Sequence, residues 1–185
     1  MVGSMNLLSF FRRLLGRSSG SDFKATQARA DQGDAGAQFG LGLKYGSGET
    51  QDSLQAAEWY RKAAEQGHAL AQYNLGLLYA SGHGVPRDDT EALLWIRKAA
   101  ESGYPGAQHN LGGRCHRASF NKGQGDAIEC RIEAYKWLFL ASAQGYKGSA
   151  AACELVTLGM TSEELAEGKH RAASFVGPRA GNGND

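Results

Sequence analysis

The sequence predicts an all-α fold, a solenoid of stacked helical hairpins, and three observations point to it. A six-residue phrase returns along the chain as Gly33-Asp-Ala-Gly-Ala-Gln38, Gly67-His-Ala-Leu-Ala-Gln72 and Gly103-Tyr-Pro-Gly-Ala-Gln108, with a degraded copy from Gly145. The steps between Gly33, Gly67, Gly103 and Gly145 are 34, 36 and 42 residues, in the range of helical-hairpin repeats. Between the copies, small and apolar residues recur at helical spacing and strand-like alternation is scarce.

Each element follows from the residues in order. Residues 22–32 read as a lone capping helix, because Ala30-Asp-Gln-Gly33 parallels Ala64-Glu-Gln-Gly67. The first half of each repeat is a helix A. Ala37, Leu41, Gly42 and Tyr45 recur as Ala71, Leu75, Gly76 and Tyr79, and again as Ala107, Leu111, Gly112 and Cys115, and these offsets mark one helical face. A glycine inside a helix costs about 1 kcal/mol relative to alanine, so its return predicts a notch where a second helix comes close. The second half is a helix B, with Trp59, Trp95 and Trp137 each set between alanines at steps of three and four and assigned to the core. Asp52 or Ser53, Asp89 with Thr90, and Asp126 are its N-cap candidates, and Gly67, Gly103 and Gly145 close it. Helices over 148–157 and 162–175 are expected to close the far end. The reading is one repeat domain over 22–176: a capping helix at 22–32, repeats at about 33–66, 67–102 and 103–144, and C-terminal capping helices within 145–176. Residues 1–21 form an N-terminal tail, flexible or amphipathic, and 177–185 a disordered one.

Composition excludes several classes. Lys+Arg at 20 against Asp+Glu at 19 gives a net charge of +1, so no field favours nucleic acid. Three cysteines are too few for a disulfide framework and are compatible with a reducing compartment, whence a cytoplasmic expectation, with envelope association as the alternative. No apolar run is long enough for a transmembrane segment. Residues 6–17 are amphipathic, Leu7, Leu8, Phe10, Phe11, Leu14 and Leu15 being interleaved with Arg12, Arg13 and Arg17, which reads as a weak membrane-surface contact or a tail on the Ser18-Ser-Gly-Ser21 joint. Catalytic signals are thin. Gly16-Arg-Ser-Ser-Gly20 has the letters of a nucleophile elbow without the strand it needs. No dinucleotide fingerprint, phosphate loop or His-Glu-x-x-His occurs, so neither an enzyme nor a cofactor is expected. Cys115 with His109 and His116 is set aside as a metal site, because Cys115 takes the repeat's inward tyrosine position.

The stretch Ala71-Gln-Tyr-Asn-Leu-Gly-Leu-Leu-Tyr-Ala-Ser-Gly-His-Gly-Val85, followed by Ala92, Trp95 and Arg97-Lys-Ala-Ala100, resembles a Sel1-like repeat, a family related to the tetratricopeptide repeats. The resemblance covers roughly residues 25–175. It implies a right-handed α/α superhelix of bacterial type that serves as a protein-interaction adaptor or scaffold, binding a protein or peptide segment in its concave groove. By that geometry, the groove residues are Phe39 with Leu43, Tyr73 with Leu77, and His109 with His116. Gln38, Gln72, Gln108, Asn74 and Asn110 are candidates for fixing a partner's main chain. The competing reading of the aromatic residues is that they extend the core between repeats. The third A–B connection, expected to loop from His116 to Asp126, is longer than the others and reads either as a contribution to one rim of the groove or as a tolerated surface loop. Cysteine-rich relatives with a disulfide in each repeat have been linked to β-lactam binding or weak hydrolysis. Here Cys115 and Cys130 are the one pair that analogy reaches, with two thiols acting as small hydrophobes as the plainer reading.

Overall fold

The computed structural model describes residues 23–47, 52–121 and 123–175. The amphipathic segment 6–17 and the segment 177–185 lie outside the described residues. The described residues form nine helices and no strand: α1 (23–31), α2 (Ala35–Ser47), α3 (Ser53–Glu65), α4 (Ala69–Ser81), α5 (Asp89–Glu101), α6 (Pro105–Ser119), α7 (Gln124–Ala143), α8 (Ser149–Thr157) and α9 (Ser162–Ala173). Helices α2, α4 and α6 are the A helices and α3, α5 and α7 their B partners. Each pair packs as a hairpin, and each B helix hands on to the next A helix, which makes the chain an all-α repeat solenoid.

Local chemistry sets the ends. The Asp52 carboxylate accepts the Gln55 N–H at 3.0 Å, and Asp88 accepts the Thr90 and Glu91 N–H groups at 2.9 and 3.0 Å. The second cap is therefore one residue earlier than Asp89. Asp126 is not a cap; α7 begins after Gly123, and Asp126 sits in the first turn, where the helix dipole favours its charge. After the three B helices, Gly67, Gly103 and Gly145 adopt φ of +86°, +86° and +75°, which side chains with a Cβ resist.

The repeated glycine is a notch. A Cβ on Gly42 would meet the Tyr60 ring at 2.4 Å, one on Gly76 the Ile96 Cγ1 at 2.8 Å, and one on Gly112 the Leu138 Cγ at 2.7 Å. In every repeat it is the partner B helix that fills the space. Alanines complete the fit: Ala63, Ala71, Ala92, Ala99, Ala107, Ala134 and Ala141 are fully buried. Trp95 and Trp137 are core, and each indole N–H donates to the carboxylate one turn earlier, Glu91 at 3.0 Å and Glu133 at 2.9 Å. Trp59 is half-buried instead, packed on the Ala30, Ala37 and Leu41 cluster with Lys62 Nζ 3.9 Å above its ring.

The expected loop from His116 to Asp126 is corrected by the structure. α6 runs on to Ser119 and α7 starts at Gln124, so the insertion lengthens the hairpin rather than its loop. The reason is that the added residues continue the inward stripe, Ala127 being buried and Ala118 and Cys130 facing the same cleft. At the far end α8 and α9 both pack on α7 and scarcely touch each other. α9 is held by a close approach of Gly168 to Tyr135, by a two-pronged Arg131–Glu164 pair at 2.9 and 2.6 Å, and by Arg171, which reaches Glu129, Glu133 and Glu167.

Candidate partner-binding groove

Gln38 is a correction to the sequence reading, together with Gln72 and Gln108. All three are buried, and each donates its amide to a carbonyl of the preceding B helix, Ala30, Ala64 or Ala100, at 3.1 Å. Their side-chain oxygens accept from Gln66, Ser102 and Gln144 at 2.7, 3.2 and 2.9 Å. Burial withholds these amides from a partner, and with both ends hydrogen-bonded they staple repeat to repeat.

Phe39, Tyr73 and His109 occupy one helical position in the three A helices, and each meets the residue after the next glycine corner. Phe39 stacks on His68 at 4.6 Å, Tyr73 tilts against Tyr104 at 5.2 Å, and His109 against Tyr146 at 5.3 Å. His109 Nδ1 also lies 2.9 Å from the Ser149 hydroxyl. These side chains are half-buried, so they form rungs between repeats with one edge on the surface. Burial beside Phe39 lowers the pKa of His68, which keeps that ring neutral, and burial raises those of Tyr73 and Tyr104.

Leu43 and Leu77 behave differently. They share a helical position one turn beyond Phe39 and Tyr73 and are 44% and 37% exposed. With Asn74 they line a cleft of about 460 Å³ between α2, α3 and α4, closed by Gly46, Ser53, Ala56, Tyr60, Leu78 and His83. No carboxylate, lysine or arginine lines it, so it is uncharged and largely apolar, with the hydroxyls of Ser53 and Tyr60, the Asn74 amide and the His83 imidazole among its lining residues. Sequence reasoning found Leu43, Leu77 and Asn74 but missed Tyr60 and His83, which come from α3 and from the loop after α4. The signal for Tyr60 was the absence of a side chain at Gly42, against which it lies. The position of Leu77 is Gly113 in the third repeat, so the leucine pair stops there.

His116 is not brought to this cleft. It lies in the last turn of α6, edge-on to Phe120 at 5.0 Å, with its Nδ1 buried and without a hydrogen-bond partner. A second cleft of about 580 Å³ separates α5 from α6 and α7, and Cys115 and Cys130 both line it beside Arg97, Arg114 and Lys136. Among the described residues no group of three or more His, Cys, Asp or Glu is placed to hold a metal ion.

An array of stacked helical hairpins defines a class, the α-helical repeat proteins. The family described as Sel1 repeat matches residues 35–68, 69–104 and 105–146, well over half of the chain. This chain belongs to the Sel1 repeat family. Two solved structures are similar to it. One is c5321, a protective antigen of uropathogenic Escherichia coli strains displaying an SLR fold: 30% identity, TM-score 0.69, over 83% of this chain and 32% of that one. The other is a Sel1 repeat protein from Oxalobacter formigenes: 34% identity, TM-score 0.61, over 72% of this chain and 97% of that one. The chain thus spans about a third of the length of the E. coli antigen. No curated protein matches it. Sel1 repeat proteins generally mediate protein–protein interactions, and the fold is generally a non-enzymatic scaffold.

Proposed function

We propose that this chain is a scaffold that takes up an apolar segment of a partner protein on the face of its A helices, with the α2–α3–α4 cleft as the principal pocket. The observation that supports it is the pair Leu43 and Leu77, large apolar side chains that are well exposed and both line one uncharged cleft. Buried staples fix the spacing of the repeats, so the pocket is pre-formed, which lowers the entropy cost of binding. Asn74 offers the one amide at the pocket wall for a partner's main chain. The aromatic rungs Phe39, Tyr73 and His109 continue the same face. A role in β-lactam chemistry is not favoured, because only the third repeat carries two cysteines and both stand as thiols in the other cleft. Thiols suit a reducing compartment, so we place the chain in the cytoplasm.

The test is retention from a lysate of the native host, quantified by mass spectrometry, on the parent chain and on a Leu43→Glu/Leu77→Glu variant of matched helicity. A protein held by the parent and lost with the variant supports the groove. Equal retention by both refutes it.

A further inference from the structure

The groove reading leaves open what kind of segment fits, and where the chain enters the fold points to one. Phe23, at the start of α1, packs on the cluster of Ala30, Ala37 and Leu41, and Lys44 Nζ of α2 sits 3.9 Å above its ring. Lys44 is the neighbour of Leu43, which lines the cleft. The residues before Phe23 therefore start from the same end of α2 as the cleft. Residues 18–22 span at most about 17 Å when extended, so residue 17 starts within about that distance of Phe23.

What precedes them is residues 6–17. Laid on a helical period, Leu7, Phe11 and Leu14 fall at i, i+4 and i+7 with Leu8, Phe10 and Leu15 beside them, while Ser9, Arg12, Arg13 and Gly16 fall on the opposite side. This is the pattern of a helix that lays an apolar face into a hydrophobic groove. The cleft supplies the complement, Leu43, Leu77, Leu78 and Tyr60, with no cation to repel the arginines.

We infer that residues 6–17 of this chain dock in the α2–α3–α4 cleft, so that the scaffold carries an internal competitor for its own groove. This rests on the reading of that face as a partner site only for its consequence. A short tether holds the segment at an effective concentration of about 1 mM, so an intrinsic Kd of about 0.1 mM fills the cleft in roughly nine of ten molecules. A partner then binds about tenfold more weakly than to the open groove.

The experiment compares amide resonances of the full chain with those of its Phe11→Ser/Leu14→Ser variant, which alters nothing in the helical array. The expected result is shifts at Leu43, Gly46, Asn74, Leu77 and Leu78, the same at one tenth of the protein concentration. The reciprocal Leu77→Glu variant should increase hydrogen exchange at the Phe10 and Phe11 amides at least severalfold. Shifts centred on Thr26 and Gly40 would mean that the segment extends the array as a further helix, shifts that vanish on dilution would mean a second copy, and either overturns the inference. So would shifts confined to residues 1–22, with the parent but not the variant retained on phosphatidylglycerol–phosphatidylcholine vesicles, which would give the segment to a membrane surface. None of these readouts needs the partner. A docked segment with unchanged lysate retention sinks only the proposed function, and the converse sinks only this inference.

Discussion

Replacing Gly76 by alanine sets two effects of known sign against each other. In a helix interior alanine is favoured over glycine by about 1 kcal/mol, so an exposed site would gain that much. At Gly76 the new Cβ would lie 2.8 Å from Ile96 Cγ1, 3.0 Å from the Ala92 carbonyl oxygen and 3.2 Å from the Ile96 nitrogen. Turning the Ile96 side chain relieves only the first contact. The other two are backbone, so α5 must back away from α4, and overpacking of this kind costs about 1–3 kcal/mol. The net expectation is a loss of roughly 0–2 kcal/mol. Gly113→Ala is the control, one repeat on and on the open face, where the nearest atom is the flexible end of Arg117 at 3.7 Å. It should gain about 1 kcal/mol, so the two variants differ by the packing cost alone, about 1–3 kcal/mol. Circular dichroism of thermal and urea unfolding measures both, and for a chain of this size each kcal/mol is about 2–4 °C in Tm. Two variants that move in the same direction by the same amount would refute the notch.

Three further outcomes follow from the same geometry. Gln72→Ala removes a buried amide bonded to the Ala64 carbonyl and Ser102, and should cost about 1–3 kcal/mol in urea unfolding; a variant as stable as the parent would mean that the staple is idle. Phe39→Ala should lower stability through its lost stacking on His68 and its lost tilted contact with Tyr60, whereas Leu77→Ala should leave the melting curve within about 0.5 kcal/mol, because its side chain is already 37% exposed. Arg131 holds the Glu164 carboxyl below the usual carboxylate range, chiefly through their hydrogen bonds. A depressed folded pKa stabilises above the unfolded value, about 4.3, and that stability is lost as pH falls through the folded value. Stability should therefore fall more steeply from pH 5 toward pH 3 in the parent than in Arg131→Met, and parallel curves would argue against the pair.

The sequence disclosed what the repeat repeats. Gly76, Leu75, Trp95 and the corner glycines return in register because packing fixes them, and the repeat helices and the notch were legible for that reason. Two features misled. Gln38 follows Ala37 in every copy, yet a polar residue beside a core position looks like surface until the distant partner, Gln66, is seen to meet it. Residues 116–126 lack a repeat counterpart, so their glycines suggested a loop, while Ala118, Ala127 and Cys130 kept the helical stripe going. The cleft was half legible. Leu43 and Leu77 hold the same repeat position on α2 and α4, but Tyr60 and His83 arrive from elements whose approach only the assembled array sets.

The glutamine staples also bear on how such a chain is edited. Gln38 ties the carbonyl of Ala30, from the helix before, to Gln66, at the end of its own repeat, and needs nothing from further along. A segment such as residues 35–68 therefore carries, in Gln38, the donor for the joint before it and, at Ala64, the acceptor for the joint after it. Duplicating it in tandem inserts a complete rung, and excising it lets the flanking rungs meet. The groove can be lengthened or shortened in whole units without redrawing the remaining seams, a ruler with detachable segments.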